Sequence, residues 1–392
     1  MIYVGIDVAK AKHDCCIITS DGEVICKPFT VKNNIDGFDE IYSKIKSFTK
    51  DLSIVKVGLE ATGHFSINIL NYLYEKGLKM YVFNPLHTNF YRKSLTLRKT
   101  KTDKIDCKSI AYMLLSNPDI NPYTPSDKVN IDLKSLCRYR FVKVKQCSKL
   151  KVSIKRLATI LFPELENYVS DIHINTIYEL LKEYPGASYI AKAHLTKLTN
   201  LLSKNSRGKF AKLSAIEIRN LAKDSVGIQL SAKSLELKQT IQLTQEYEQE
   251  IKIIEQEIKT IMDSLNSPII TIPGINYRMG AVILSEIGSI NQYENPDKVL
   301  AFAGLSPTTY QSGTFNSPYA HMEKRGSKYL RYALFNSARY ICNFDSHFNS
   351  YLAKKLSEGK HYNVAITHVV RKLVRVIFVM LTTGEAYKPV TI

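Results

Sequence analysis

The first 83 residues set an order of strands and helices that few folds accommodate. IYVGIDVA, residues 2–9, reads as a buried apolar strand. HDCCIITS and EVICKPFTV follow as two more, joined by Asp21-Gly22, a dipeptide that favours a tight hairpin. GFDEIYSKIKSF has the i, i+3/i+4 apolar spacing of an amphipathic helix, and SIVKVGLEA reads as a buried strand. FSINILNYLYEKG is a helix ending at Gly77, a residue suited to a C-cap, and LKMYVF is a further strand. The order βββαβαβ, followed by a helix bearing Asp103 and Asp106, is the signature of an α/β domain with an RNase H-like sheet, and other α/β folds share much of it. In such a sheet the first and fourth strands are neighbours.

That adjacency matters because of four carboxylates. Asp7 sits within the apolar first strand, where a charge is costly without a partner. Glu60 ends the fourth strand. Asp103 and Asp106, three residues apart, share one helix face. A helix packed on the sheet would bring all four together, and only a cation would then offset their repulsion. Hard oxygen ligands select Mg²⁺ or Mn²⁺, the ions of phosphodiester chemistry. Taken singly, each acid has a plainer reading. Asp7 is then a structural hydrogen bonder, Glu60 a neighbour of a helix N-cap, and the aspartate pair a surface face beside Lys99, Lys101 and Lys104. The joint order and spacing are the specific signal.

The chain carries 54 Lys and Arg against 36 Asp and Glu, a net charge of +18, which calls for a polyanionic partner. An anionic membrane is the weaker candidate, because no uninterrupted apolar run reaches about 18 residues and no signal peptide opens the chain. A soluble cytoplasmic protein that binds nucleic acid is expected. Between Pro85 and Arg156 there are 17 Lys and Arg against 5 acids, so phosphate contacts are expected there, from Lys99, Lys101, Arg138 and Arg140. Lysines scattered over helices, with no RNA-recognition signature, favour contacts to backbone and shape over base reading. Seven cysteines without a Cys-x-x-Cys pair exclude a zinc ribbon and a disulfide framework, and predict reduced, mostly buried thiols.

From about Asn130 to Leu161 the pattern is helical, and residues 164–230 read as smaller helices and loops. Tyr247, Ile251, Ile254, Ile258, Ile261 and Leu265 then recur at 4-3-4-3-4, a coiled-coil seam that could pair with the earlier helix or with a second subunit. Pro268 ends it. ITIPGINYRMGAVILSEIG, residues 270–288, reads either as a helix-hairpin-helix, with its helix N-terminus toward phosphate, or as a plain helical scaffold. Three regions are expected: a catalytic α/β domain over 1–125, a long helical coiled-coil middle over 126–267, and a small, mostly helical C-terminal domain over 268–392.

In combination these segments resemble the transposases of the IS110/IS1111 group and the related pilin-inverting recombinases. YVGIDVAK is similar to that family's first motif and LEATGHF to its second. VFNPLHTNFYR is similar to an intermediate stretch, and KTDKIDCKSIA to the paired-aspartate motif, with Cys107 where Ala is usual. TIPGI, FAGLSPTTYQSGTF and GSKYLRYALFNSA resemble the C-terminal transposase domain, with Ser327 where Asn is usual. The resemblance implies a RuvC-like first domain with Asp7, Glu60, Asp103 and Asp106 as its metal-binding tetrad. It also implies Ser312, in QSG, as a nucleophile that forms a phosphoserine link to DNA. Without it, a Ser-Gly in a polar loop reads as a turn. Arg325, Lys328 and Arg331 would clamp phosphates nearby. Implied partners are DNA at the element ends and target, a structured guide RNA in some members, and further copies of the chain in a dimer or tetramer. The setting would be a prokaryotic, nucleoid-associated one. A RuvC-like Holliday-junction resolvase or nuclease is the rival reading. It would use the four acids and leave Ser312 idle. A non-enzymatic scaffold on the same fold would be expected to have lost an acid, and none is missing.

Overall fold

The computed structural model describes residues 1–61, 63–95, 103–118, 120–123, 128–307, 311–312, 315–316 and 321–389, the side chains of 103–104, 311–312 and 315–316 excepted. The chain divides into two compact units, Met1–Pro125 and Ser126–Ile392.

The first unit is built on a five-stranded sheet. Its strands are β1 (Ile2–Val8), β2 (Lys12–Thr19), β3 (Val24–Lys32), β4 (Val55–Glu60) and β5 (Lys79–Phe83). The spatial order is β3-β2-β1-β4-β5, with β1, β2 and β3 antiparallel and β1, β4 and β5 parallel. The first and fourth strands are neighbours, as the element order predicts. Gly22 turns the hairpin with φ of 81°, and Gly77, φ 85°, follows the second helix.

Strand alternation gives the sheet two faces. Ile2, Val4, Ile6 and Val8 share a core with α1 (Ile35–Phe48) and α2 (Phe65–Glu75) through Phe38, Ile41, Ile45 and Ile69. The other face carries Tyr3, Gly5 and Asp7 and is followed in chain order by α3 (Pro85–Leu95) and α4 (Asp103–Ser116). The α4 residues Cys107, Ile110, Ala111 and Leu114 pack there with Tyr3, Cys16, Ile18, Tyr81 and Phe83.

Two glycines paired across β1 and β4, Gly5 and Gly58, let α4 settle onto the strands. A Cβ at Gly5 would lie 2.1 Å from the Cys107 carbonyl oxygen and 2.5 Å from the Ala111 nitrogen. At Gly58 it would meet Leu114 Cδ1 at 2.7 Å. Gly5→Ala therefore has to push the helix backbone away. It is expected to cost about 1–3 kcal/mol, the range for overpacking, and to displace Asp106 with the helix. Thermal unfolding and DNA cleavage, measured on the same preparation, check both effects.

The second unit is helical. α5 (Lys128–Leu161) leads to α6 (Glu164–Tyr168), α7 (Asn175–Glu183), α8 (Ala187–Lys192), α9 (Leu195–Ser206) and α10 (Lys212–Lys223). Next comes α11 (Ser231–Leu265), which runs antiparallel to α5 within the same chain. Arg140 pairs with Glu255 near one end, Lys151 with Glu248 at 2.6 Å in the middle, and Arg156 with Glu236 at 2.9 Å near the other. Of the positions expected to form the heptad seam, Ile254 and Ile258 are buried, Tyr247, Ile251 and Ile261 are half-buried and Leu265 is exposed, so the pairing of the two helices does not follow that heptad throughout. The remaining elements are α12 (Tyr277–Ile287), α13 (Pro296–Phe302), the two-residue strands β6 (Gln311–Ser312) and β7 (Phe315–Asn316), α14 (Lys328–Phe344), α15 (Ser346–Ser357) and α16 (Tyr362–Thr383).

The segment before α12 is a packed scaffold. Ile272 and Ile275 are buried, and Gly274, φ 84°, abuts the α14 backbone, where a Cβ would meet the Ile341 nitrogen at 3.0 Å. Asn276 caps α12 by accepting from the Met279 amide. All seven cysteines are free thiols, six of them buried. Among the described residues no helix is long and apolar enough to cross a membrane.

Candidate active site

Three of the four predicted carboxylates reach one cavity in the first unit. Asp7 and Glu60 leave adjacent parallel strands one residue beyond the Ile6–Leu59 pair, on the face that α4 covers. Asp106 comes from α4, one residue before the Cys107 that packs over Gly5. Asp7, Glu60 and Asp106 line a cavity of about 410 Å³ together with Thr88, Asn89 and Arg92 of α3. Asp103 opens α4 one turn earlier; its side chain, with Lys99 and Lys101, lies outside the described residues.

The α3 side chains organise the cavity, and they were absent from the sequence-level candidates. Thr88 Oγ1 donates to Glu60 Oε2 at 2.5 Å. Arg92 donates from Nη1 to Asp106 Oδ1 at 2.9 Å and from Nη2 to Asn89 Oδ1 at 2.8 Å. A start signal for this helix is present in Asn84-Pro85: Asn84 Oδ1 accepts from the Leu86 amide at 2.9 Å, and Pro85 opens the helix. A further acid, Asp14, stands directly across from Asp7 in the β1–β2 ladder. It is buried and accepts from Thr30 Oγ1 at 2.5 Å.

The donor set is carboxylate oxygen on a polar cavity wall, which fits a hard divalent cation. Among the described residues, no three His, Cys, Asp or Glu side chains are already gathered around one ion position. Asp106 is instead held by Arg92.

Ser312 belongs to the second unit, at the end of β6, where it pairs with Phe315 of β7 in a short hairpin. Gly313 and Ser317 lie outside the described residues. The base of this segment is tied down. Ser327 N donates to Phe302 O at 2.8 Å, Glu323 N to Ser306 O at 3.2 Å, and Pro307 bridges to Met322. Arg331 donates from Nη1 to Ala303 O at 2.8 Å, which ties its guanidinium to the base of the loop. Arg325 and Lys328 are exposed.

Arg138 and Arg140, expected to meet phosphate, are engaged inside the second unit. Arg138 forms a two-pronged pair with Glu286, Nε to Oε1 at 2.6 Å and Nη2 to Oε2 at 3.0 Å. Arg140 and Arg278 share Glu255 Oε1. Much of the basic excess on α5 is thus matched by acids of the same unit.

Glu286 is the hub of this network. Its side chain is 1% exposed and also accepts from Ser327 Oγ at 2.8 Å, the hydroxyl that caps α14. Ser327 therefore works as an N-cap tied to a buried acid. Burial pushes the Glu286 carboxyl up, but Arg138, Lys134 and Ser327 outweigh it and hold the group below its usual range. A depressed folded value means stability that is present above the ordinary carboxylate range and lost as pH falls through the lowered one. Glu286→Gln leaves Arg138 and Lys134 without their counter-charge and is expected to cost about 3–5 kcal/mol, as for other broken buried pairs. It should also flatten the acid limb of stability against pH, which denaturant unfolding at several pH values would read.

The model for the IS110 transposases, described as "Transposase", matches residues 4–163, and that for the "Transposase IS116/IS110/IS902 family" matches residues 266–353. The chain is 25% identical to the pilin gene-inverting protein of Moraxella lacunata over 98% of its length and 97% of the relative's. It is 21% identical to the insertion element IS116 44.8 kDa protein of Streptomyces clavuligerus, over 99% and 96%. T. thermophilus RuvC in complex with a Holliday junction substrate aligns with 31% of the chain at 11% identity and a TM-score of 0.24, covering 99% of that structure.

Proposed function

We propose a two-part chemistry for this chain, which belongs to the IS116/IS110/IS902 family of transposases: carboxylates of its first unit and a serine of its second act together to cut and rejoin DNA. The observation that carries the reading is the convergence of Asp7, Glu60 and Asp106 on one cavity. Asp103, three residues before Asp106 in the sequence, would complete the tetrad. These four would hold Mg²⁺ or Mn²⁺, which when bound polarises a phosphodiester and makes a hydroxyl a better nucleophile.

The Ser312 oxygen attacks phosphorus and the bond to the departing deoxyribose oxygen breaks. The serine proton passes to that leaving hydroxyl. A hydroxyl from the recipient strand then attacks the phosphoserine, restores the serine and makes the new phosphodiester, so one bond is exchanged for a like one and no nucleotide cofactor is consumed. Thr88 fixes the Glu60 carboxylate in both steps. Arg92 holds Asp106.

The test is to incubate the full chain with Mg²⁺ and the DNA flanking its own gene, with and without RNA transcribed from that flank. A protein–DNA adduct that survives denaturation is the expected product. Free 5′-phosphate ends without adduct would instead indicate a RuvC-like nuclease. Adduct formed only with the RNA would identify a guide RNA as partner.

A further inference from the structure

One partly exposed face of α16 carries basic residues that the proposed chemistry leaves unused. His368, Arg371, Lys372 and Arg375 fall at i, i+3, i+4 and i+7, one face of the helix. The opposite face is buried through Val369, Val370, Leu373 and Val374. Unlike the α5 arginines, Arg371 and Arg375 form no ion pair among the described residues. Lys372 Nζ adjoins His347 Nε2 and lies 4.7 Å from the Tyr351 ring centroid.

The neighbouring acids are committed elsewhere or stand apart. Asp345 caps α15 and accepts from the Tyr387 hydroxyl at 2.6 Å. Glu385 pairs with Lys388, and Glu358 with Lys355 and Lys360. Asp297 lines a cavity with both arginines without pairing to either. His368 is pushed toward its neutral form first by burial and then by the charges of Lys355, Arg371 and Lys360, against the opposite pull of Glu358.

Cations held this close repel one another, and a polyanion relieves that repulsion. The stretch from His368 to Arg375 covers about 10 Å of helix. A DNA strand advances about 3.4 Å along its axis per phosphate, so one strand presents several phosphates over that length. The cavity of about 340 Å³ that Arg371 and Arg375 line also includes Ser306 and Pro307, which lead into the segment bearing Ser312. Guanidinium forks at that position suit bidentate contact to phosphate oxygens.

We propose that this face of α16, through Arg371, Lys372 and Arg375, binds the phosphate backbone of duplex DNA beside the serine-bearing segment. The inference rests on the reading of the chain as a DNA-cutting and rejoining enzyme. Its test keeps the two apart by measuring binding without chemistry, in full-length Ser312→Ala protein. Arg371→Gln with Arg375→Gln is compared with Lys238→Gln with Lys259→Gln, two exposed lysines of α11, by titrating a short fluorescent DNA duplex of arbitrary sequence at several salt concentrations.

The arginine pair should make the slope of log K against log salt shallower by roughly two, about 0.9 per lost contact. The α11 pair should leave it unchanged, and Arg371→Lys with Arg375→Lys should restore most of it. An unchanged slope in the glutamine pair, with unfolding behaviour like the parent, overturns the inference. So does an equal loss in the α11 pair, or a loss seen with an RNA duplex and not with DNA. A pair that unfolds early is replaced by Arg375→Gln alone, expected to lose about one unit of slope. Failure of any of these leaves adduct formation by the unmodified protein as a separate question.

Discussion

Asp7→Asn and Asp106→Asn are each expected to lower Mg²⁺-dependent strand cleavage on the order of a thousandfold or more, with different effects on stability. An amide removes a charged oxygen ligand from the cavity. Metal stabilisation of phosphodiester chemistry is worth several kcal/mol, and about 1.36 kcal/mol is tenfold in rate. Asp7 faces Asp14 across the β1–β2 ladder, so its neutralisation relieves like-charge repulsion and should leave the melting temperature unchanged or raised. Asp106 is paired with Arg92 at 2.9 Å, with 14% and 22% of the two side chains exposed. Its loss should lower stability by about 1 kcal/mol or less, as for other partly exposed pairs. Cleavage assays and thermal melts on the two proteins separate catalysis from folding. Cleavage at the parent rate in either variant would remove that residue from the site.

Ser312→Ala should keep DNA and metal binding and form no covalent adduct. The carboxylates and Ser312 are carried by different units of the chain, so the serine has to meet a tetrad either of its own chain or of another copy. Mixing Ser312→Ala with Asp7→Asn distinguishes these. Self-contained chains give an inactive mixture. A site shared in a dimer or tetramer regains activity, because the intact serine of one chain meets the intact carboxylates of another. Adduct from pure Ser312→Ala would exclude the serine and turn attention to Ser306 and Ser317.

The strand order and the carboxylates were readable in the sequence because both rest on local pattern. An acid inside an apolar run and a hairpin dipeptide need no knowledge of distant partners. The helix α3 carries a start signal in Asn84-Pro85, but its largely polar residues give no apolar periodicity by which to read it. The ion pairs of the α5 arginines were not legible, for a different reason. Charge counting registers an excess but not where its counter-charges lie. Arg138 meets Glu286, 148 residues away, and Arg140 meets Glu255, 115 away. The cationic edge of α16 escaped the same count because three charges in a largely apolar helix barely alter regional composition. Gly5 and Gly58 resembled ordinary strand residues until α4 was seen lying against them. A glycine within a strand is a known sign of close backbone approach, yet the approaching element starts 98 residues after Gly5 and 45 after Gly58.

The most direct measurement is peptide mapping, by mass spectrometry, of the protein–DNA adduct trapped from the unmodified chain with Mg²⁺ and its flanking DNA. The expected result is a single phosphoserine linkage at Ser312, absent when Mg²⁺ is chelated and absent in Asp7→Asn. A linkage at another side chain, a linkage at Ser312 that forms equally well without the cation, or cleaved DNA bearing no protein at all would contradict the joint action of carboxylates and serine.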